Sequence, residues 1–181
     1  MMGMKFRPMI ALAALAAATL GAGYAGAQEG ISALKGHDTH APVDVSADRA
    51  EAQDRADRAV FAGNVVVRQG NLTLRTPRLT LAYSNQGSGL DIDRIDASGG
   101  VIVSSPSETA RGDFAVYNPD DALITMVGNV RLERGGSHLT GARLTIDLDT
   151  GRAVMDGGLR GVNQQGGGRV TGRFTVPRRT N

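Results

Sequence analysis

The sequence predicts an all-β fold in which short antiparallel strands form a sandwich or jelly roll. Three observations support this prediction. Segments from residue 42 onwards alternate apolar and polar side chains, which is the pattern of strands with one buried face. Glycine-rich turns separate these segments, and one stretch of sequence recurs along the chain. Strands of this kind must cover their apolar face with a second sheet or by folding over, because the sequence predicts no helix that could cover it.

An internal repeat organises the chain into similar strand pairs. The matched segments, sixty-five positions apart, are residues 63–65 and 128–130 (Gly-Asn-Val) and residues 78–81 and 143–146 (Arg-Leu-Thr followed by Leu or Ile). Weaker copies begin at Gly99 and Gly157. Each copy is a glycine corner followed by alternating residues, so the repeat predicts a serial array of short strands.

The composition agrees with a β fold built from small side chains. Aromatic residues make up 4% of the chain, tryptophan is absent, and 25 of the 181 residues are glycine. The interior should therefore be modest in bulk. Cysteine is also absent, which excludes a disulfide framework, a thiolate metal site and a thiol nucleophile.

The first 27 residues predict a secretory signal peptide. Lys5 and Arg7 form a basic start, residues 9–20 form an apolar run, and residues 25–27 (Ala-Gly-Ala) form a cleavage site of small residues. The apolar run is too short to span about 30 Å of hydrocarbon, so cleavage after Ala27 is favoured over an uncleaved anchor. Cleavage leaves equal numbers of basic and acidic residues, and this balance gives no reason to expect a nucleic-acid partner.

Beyond the signal peptide the sequence predicts three parts: a flexible lead over residues 28–41, one β domain over residues 42–177, and a frayed tail over residues 178–181. The first strand is predicted at residues 43–48 (Val-Asp-Val-Ser-Ala-Asp). The charged segment 49–58 could form a helical turn. Its place between two strands favours an exposed strand pair with a turn near residues 53–54.

The remaining strands centre on alternating apolar pairs, with turns where glycine, asparagine, aspartate or proline cluster. In chain order the pairs are Val65 and Val67, Leu72 and Leu74, Leu79 and Leu81, Leu90 and Ile92, Val101 and Val103, Phe114 and Val116, Val130 and Leu132, and Leu144 and Ile146. A last strand is predicted at residues 170–176, where Pro177 stops it. The pattern does not define the loop lengths near residues 105–111.

The sequence assembles no catalytic or metal site. His37 and His40 have metal-compatible spacing, but they fall in the predicted lead, so solvated side chains are favoured over metal ligands. His138 stands alone. Two carboxylate pairs share the polar faces of strands and are expected to be solvated rather than an acid and a base, namely Asp91 with Asp93 and Asp147 with Asp149. We therefore expect a binding or transport protein without catalytic activity, cofactor or metal.

Three features together resemble the LptA/OstA family. They are the opening strand at residues 43–48, the repeat at residues 60–67 with its second copy at 128–130 and its turn at Gly70, and the ending from Gly168 to Pro177. The resemblance covers about residues 42–177, which is most of the chain beyond the signal peptide. Proteins of this family are periplasmic and carry lipopolysaccharide from the inner to the outer membrane.

The resemblance implies a folded-over, V-shaped antiparallel β-jelly roll, open along one side as an apolar groove that shields acyl chains. It also implies head-to-tail stacking through the edge strands. We expect these edges to be the predicted strands 43–48 and 170–176, because neither carries strongly blocking charges. The implied partners are lipopolysaccharide, further copies of the chain, and the inner-membrane and outer-membrane components of the transport system. The implied location is the periplasm.

The inward side chains of these strands form the predicted lipid-binding set, because they alternate with charged or threonine residues. They are Val43, Val45, Phe61, Val65, Val67, Leu72, Leu74, Leu79, Leu81, Val101, Val103, Phe114, Val116, Val130, Leu132, Leu144, Ile146 and Phe174. Two other interpretations remain open. A membrane-anchored partner of the same transport system would share the fold and keep its N-terminal segment. A structural β-solenoid or adhesin module would have a filled core and would bind no lipid.

Overall fold

A computed structural model describes residues 37–86, 89–158 and 168–176. The predicted signal peptide, the first nine residues of the predicted lead and the predicted tail lie outside these ranges. No helix within the described ranges is long and apolar enough to cross a membrane.

Within the described residues the chain forms ten strands and one short 3₁₀ turn. They are β1 (Val43–Ser46), β2 (Arg49–Gln53), the turn Asp54–Ala56, β3 (Arg58–Gln69), β4 (Leu72–Gln86), β5 (Gly89–Ser104), β6 (Glu108–Asn118), β7 (Leu123–Arg134), β8 (Ser137–Asp147), β9 (Arg152–Asp156) and β10 (Thr171–Arg173). Every pairing is antiparallel, and the strands join into one sheet in the order β1-β3-β4-β5-β6-β7-β8-β10. In addition, β2 pairs with β3 and β9 pairs with β8. The all-β prediction is confirmed.

A row of irregular positions, which we call the crease, crosses the sheet. The pairing register shifts at this row between each successive pair of strands from β3 to β8. In β3, β5 and β7 the irregular positions are residue pairs with positive φ, namely Gly63-Asn64, Gly99-Gly100 and Gly128-Asn129. Because a bulge bends its strand and increases the local twist, this row folds the sheet over.

The crease divides the sheet into two layers. Layer A consists of β1, β10 and residues 65–69, 72–76, 101–104, 108–112, 130–134 and 137–141. Layer B consists of β2, β9 and residues 58–62, 78–86, 89–98, 114–118, 123–127 and 143–147. Buried side chains of both layers belong to one hydrophobic cluster, so the inner faces share a single core.

The repeated Gly-Asn segments of the sequence form the corners at which strands β3 and β7 cross the crease. Gly128 has a φ of 80°, and a Cβ atom at this position would collide with the carboxylate of Asp113. Asn129 Nδ2 donates a hydrogen bond to that carboxylate at 2.8 Å. The same arrangement recurs in the first copy, formed by Asp48, Gly63 and Asn64. The glycine is needed for both the left-handed backbone and the close approach, and asparagine tolerates the left-handed φ that follows it.

The structure confirms that the predicted segments are strands, but four of them join into two longer strands and three other details change. The pairs Leu72/Leu74 and Leu79/Leu81 share β4, and the pairs Leu90/Ile92 and Val101/Val103 share β5. The segment 49–58 forms a strand, a turn and the start of a second strand, as predicted. The first strand ends at Ser46 because the chain turns at Asp48, whose amide donates to Gly63 O at the crease. The last strand is shorter than predicted: only residues 171–173 pair with β8, and beyond them Thr175 bonds to Ser137 and Gly136 through hydrogen bonds that involve side chains. Strand β9 was not predicted, because its alternation is brief and followed by glycines.

Candidate functional site

The inner faces of both layers are lined by apolar side chains, most of them in the predicted set. The fully buried members are Val65, Val67, Leu72, Leu74, Leu79, Val101, Val103, Val130, Leu132, Leu144 and Ile146. The partly buried members, which pack against the same cluster, are Val43, Val45, Phe61 and Leu81. The fold therefore brings fifteen of the predicted residues together on its inside.

The prediction that Phe114 and Val116 face inward is wrong. In strand β6 the inward side chains have even residue numbers before the crease and odd residue numbers after it. Ala110 is buried before the crease, whereas Ala115 and Tyr117 are buried after it. At the crease the neighbouring strands β5 and β7 each have one more residue than β6, and the inward positions of β6 step from Gly112 to Ala115, so the following side chains change face. Phe114 is consequently 54% exposed on the outer face of layer B.

Phe174 lies at the edge of the inner face and is far more exposed than the other inward residues. The strand ladder ends at Arg173, and the Phe174 side chain that follows is 61% exposed. It borders a cavity of about 290 Å³ next to Leu132 and Leu139, at the β10 end of the sheet. It is an edge residue rather than part of the interior.

Several core residues were missed by the sequence prediction. They are Ile95, Ala97, Ala110, Ala115, Tyr117, Ala122, Ile124, Met126 and Leu148. The inward position of Ile124 and Met126 could have been predicted from the sequence, because the alternation of Val130 and Leu132 continues to them without a change across the crease. The alanines carried none, since alanine is common on both faces of a strand.

The two layers face each other across an open side opposite the crease. A cavity of about 490 Å³ lies there, between the ends of hairpins from both layers. Layer A and the chain before it contribute residues 39–43 and Gln69, and layer B contributes Ser84, Ile92, Asp93 and the turn at Pro119.

A buried hydrogen-bond network spans the open side. Gln69 ends β3 in layer A, and its Oε1 accepts hydrogen bonds from Tyr117 Oη at 3.0 Å and from His37 Nε2 at 3.1 Å. Its Nε2 donates to the carbonyls of Thr39 at 2.7 Å and Ala41 at 3.0 Å. All the hydrogen-bonding capacity of this amide is used, so its burial is compensated.

The prediction of a flexible, solvated lead over residues 28–41 is wrong for residues 37–41. Residues 37–41 are held against the end of β3, and His37 is 8% exposed rather than solvated. A single sequence gave no sign of this, because the histidine's partner Gln69 lies 32 positions away. His40 is exposed, as expected for a solvated side chain.

Tyr117 is the layer B partner in this network. Burial raises the pKa of its phenol to about 12, and the hydrogen bond to Gln69 opposes part of the rise. The phenol therefore stays a neutral donor at any physiological pH. Because Tyr117 belongs to layer B and Gln69 to layer A, their bond fixes the separation of the layers at the open side.

A second buried polar group lies at a hairpin end of layer A. Glu108 is 5% exposed, and its Oε1 lies 3.3 Å from Nη1 of Arg134. Neither carboxylate oxygen has a hydrogen-bond partner within the described residues. Burial raises the pKa of Glu108, and the charge of Arg134 opposes part of that rise. A buried carboxylate with charge contact but no donors is a cost to stability.

The remaining titratable candidates do not converge. Asp91 and Asp93 are exposed near the open side, and Ser84 Oγ donates to Asp93 at 2.8 Å. Asp147 accepts a hydrogen bond from the amide of Thr150, which lowers the pKa of Asp147 and identifies it as a turn cap. His138 is partly exposed. The described part of the chain holds no group of three or more His, Asp or Glu side chains suited to a metal ion.

The sheet has two ends, each formed by one strand of each layer. At one end β1 and β2 pair only with β3, and at the other β9 and β10 pair only with β8. Exposed apolar side chains mark the second end, namely Val154, Val170, Phe174 and Val176. Both ends leave one side of a strand without a backbone partner within the described residues.

A family model described as the LptA/(LptD N-terminal domain) LPS transport protein matches residues 44–152. That range begins in β1 and ends at the start of β9. The chain belongs to this family. The recognition made from the opening strand, the repeat and the ending is therefore confirmed.

Individual relatives agree with this assignment. An uncharacterized protein of Rhizobium meliloti (strain 1021) is 35% identical over 121 residues, 64% of this chain and 65% of that protein. LPS-assembly protein LptD of Yersinia pestis bv. Antiqua (strain Antiqua) is 33% identical over 124 residues, 68% of this chain and 13% of LptD. The chain thus spans less than two thirds of each of these relatives.

A solved structure shows the same fold. It is LptH of Pseudomonas aeruginosa, described as the LptA-homologous periplasmic component of the lipopolysaccharide transport device. The TM-score is 0.66 at 19% identity, with 77% of this chain and 99% of LptH covered. The folded-over β-jelly roll predicted for this chain is confirmed.

Proposed function

We propose that this chain is a periplasmic lipopolysaccharide-binding bridge, which shields acyl chains between its layers while the lipid passes from the inner to the outer membrane. One observation carries the proposal: a single folded-over sheet has a continuous apolar inner face that runs from one unpaired end to the other. An apolar face of that form suits lipid chains, which need only a water-free surface. The proposed role is not enzymatic.

The inner face is closed in this structure. Leu79, Met126, Val130 and Leu144 have no exposed surface. Acyl chains would therefore replace contacts between the layers, and the layers would separate at the open side to admit them. Such an exchange is favourable in principle because it trades one apolar contact for another without exposing the core to water.

The same burial favours the rival interpretation, a structural β module with a filled core that binds no lipid. Photo-crosslinking separates the two. A photoreactive residue at Val45 or Leu81, both partly buried and inward, should capture lipopolysaccharide. The same group at Asp44 or Thr145, whose side chains alternate with the inward ones, should not. Equal capture from both faces, or none from either, would contradict a lipid-binding interior.

The membrane-anchored partner of the same system is a further candidate, because it would share this fold. The mature N-terminus decides between them. Mass spectrometry of the exported protein should find Gln28 as the first residue if the chain is a free periplasmic bridge. A protein that keeps residues 1–27 would instead be the anchored partner.

A further inference from the structure

The outer face of layer B carries an exposed aromatic side chain at its crease. Phe114 is 54% exposed, although phenylalanine is usually buried. In the sheet register it lies in the row Arg78, Ser98, Phe114, Val127 and Arg143, on five successive strands. Neighbouring strands are about 4.8 Å apart, so an arginine lies roughly 10 Å to either side of the ring.

A second row of arginines lies just across the crease, in layer A. It runs through Arg75, Ile102, Arg111, Arg131 and Thr140 on the same five strands. The two rows together place five arginines around Phe114 on one continuous outer surface. We call this surface the arginine face, defined by Arg75, Arg78, Arg111, Arg131 and Arg143.

Three acidic residues lie among or beside these five arginines, namely Asp113 at the crease, Asp156 opposite Arg143, and Glu133, so the positive charge is only partly balanced. Glu133 accepts hydrogen bonds from Arg111 at 2.8 Å and Arg131 at 2.6 Å. The hydrogen bond from Arg131, followed in size by the one from Arg111, lowers the pKa of Glu133, so this carboxylate stays ionised. Arg75, Arg78 and Arg143 make no ion pair within the described ranges.

The largest group of exposed acidic side chains lies on the opposite side of the molecule, although the carboxylates of Asp48 and Asp113 lie at the crease, each bound by an asparagine. Asp91, Asp93, Asp120, Asp121 and Asp149 are all exposed at hairpin ends of layer B, away from the crease. The chain beyond residue 27 has no net charge, so arginines near the crease and aspartates at the hairpin ends give the molecule an electric dipole. An anionic surface would attract the crease and repel the open side.

We propose that the arginine face docks on the surface of a bilayer that contains anionic phospholipids. Guanidinium groups bind phosphate well, and an aromatic ring is suited to the boundary between headgroups and acyl chains. The folded sheet is convex here, so Phe114 and the arginines form a ridge that can meet a flat surface. In this orientation the open side faces away from that bilayer.

This inference concerns the outer face and does not depend on lipid entering the interior. It is tested with vesicles of phosphatidylglycerol and phosphatidylcholine, compared with vesicles of phosphatidylcholine alone, and neither contains lipopolysaccharide. The exported protein should co-sediment with the anionic vesicles at low salt and be released at high salt, because the attraction is screened. It should not co-sediment with the neutral vesicles.

The decisive variant is the double substitution R78E/R143E. Each basic residue near an anionic surface contributes roughly a fivefold gain in partitioning, so this variant should bind at least about tenfold more weakly. Phe114→Ser should weaken binding to the anionic vesicles at low salt, since it removes an apolar contact. The matched control is R55E/R152E, which makes the same change of charge at exposed positions near the open side.

All variants carry the same N-terminus, so that segment cannot cause a difference between them. Circular dichroism and thermal unfolding verify that each variant is folded. Equal loss in R78E/R143E and in the control would show a net-charge effect and overturn the assignment to this face. Unchanged binding in R78E/R143E, or equal binding to neutral vesicles, would overturn it as well.

Discussion

The hydroxyl of Tyr117 donates a hydrogen bond to Oε1 of Gln69 at 3.0 Å, and this bond joins the two layers of the folded sheet. The two residues are 48 positions apart, in β6 and β3. The inner faces of the layers otherwise meet through apolar contacts, which do not specify one separation. The Tyr117–Gln69 bond therefore sets how far apart the layers lie at the open side.

Replacing Tyr117 by phenylalanine should loosen the open side. The change removes one buried hydrogen bond while the ring still fills its space, so the free energy of unfolding should fall by about 1 kcal/mol. Urea denaturation measures this loss. Tyr83→Phe is the matched control, because Tyr83 is partly buried but lies outside the network. If lipid enters at this side, Tyr117→Phe should also take up lipopolysaccharide faster. A loss of stability as large in Tyr83→Phe would contradict the assignment.

The same tyrosine should give the wild-type protein a stability that depends on alkaline pH. Its folded pKa is raised from 10.0 to about 12, chiefly by burial. The unfolded chain therefore releases the phenolic proton first, and stability falls as the pH rises above about 10. Urea midpoints at about pH 9 and about pH 11 should show a larger decline in the wild type than in Tyr117→Phe. Parallel declines in both proteins would rule out Tyr117 as the source.

Glu108 should destabilise the protein at neutral pH. Burial raises its folded pKa above the ordinary 4.5, so this group weakens folding as the pH rises through that range. Glu108→Gln should be more stable than the wild type at pH 7 by about 1 kcal/mol, and the difference should vanish in acid. Arg134→Ala should be less stable, because it leaves the carboxylate without its counter-charge.

A fitting control for Glu108 is Glu133→Gln. The pKa of Glu133 is lowered by Arg131 and Arg111, so the stability it confers is present at neutral pH and lost as the pH falls. The two substitutions should therefore shift the urea midpoint in opposite directions at pH 7. A shift of the same sign in both would show that the difference in burial does not govern these carboxylates.

The glycine at each repeated corner should be sensitive to substitution. Gly128→Ala combines an unfavourable φ with a collision against Asp113, whereas Gly100→Ala has a φ of 97° and nothing within 4 Å. The first should cost on the order of 2–3 kcal/mol and the second about 1 kcal/mol. Thermal unfolding of the two variants compares them, and the difference isolates the collision. Equal costs would show that Asp113 moves aside freely.

The strands and most of their inward faces, including Leu79 in β4 and Leu144 in β8 beyond the crease, could be predicted from the sequence, but the inward face of β6 beyond the crease could not. Alternation and turn residues located the long strands, and the repeat located the corners at Gly63 and Gly128. The change of face within β6 could not be predicted, because nothing around Gly112 marks that the inward positions pass from even to odd residue numbers at the crease. Phe114 was placed inside for this reason.

The polar network was beyond the reach of the sequence for a different reason. Gln69, Tyr117 and His37 come from three distant segments, and each looks ordinary in its local context. Only the folding of the sheet brings them together. The sequence could nonetheless exclude thiol-based sites, because it contains no cysteine.

The two ends of the sheet should join different protomers in a head-to-tail stack. Strand direction alternates through the sheet, so β10 of one copy would lie antiparallel to β1 of the next, and β9 to β2. The pairing register also places outward-facing residues at the two ends of the sheet in one row. Asp44 pairs with Arg68 at one end, and Arg173 pairs with His138 at the other, in the same cross-sheet row.

A continued sheet would therefore place Arg173 of one copy opposite Asp44 of the next. Opposite charges on facing strands contribute about 0.2–1 kcal/mol, and like charges cost a similar amount. Asp44→Arg alone and Arg173→Asp alone should each weaken association by up to about fivefold. The variant that carries both changes should recover it, because the pair is restored with its charges exchanged. Light scattering after size-exclusion chromatography, over a range of concentrations, measures the association.

Deletion of residues 170–181 should abolish the oligomers and leave a folded β protein, because it removes β10 and the exposed Val170, Phe174 and Val176. Phe114→Ser is the control, since it removes an equally exposed aromatic side chain from a face that the stack leaves free. If the full-length and truncated chains are both monomeric at high concentration, pairing between the sheet ends is wrong. If the two single charge variants and their combination all associate as the wild type does, the stack uses a register other than the one that joins Arg173 to Asp44.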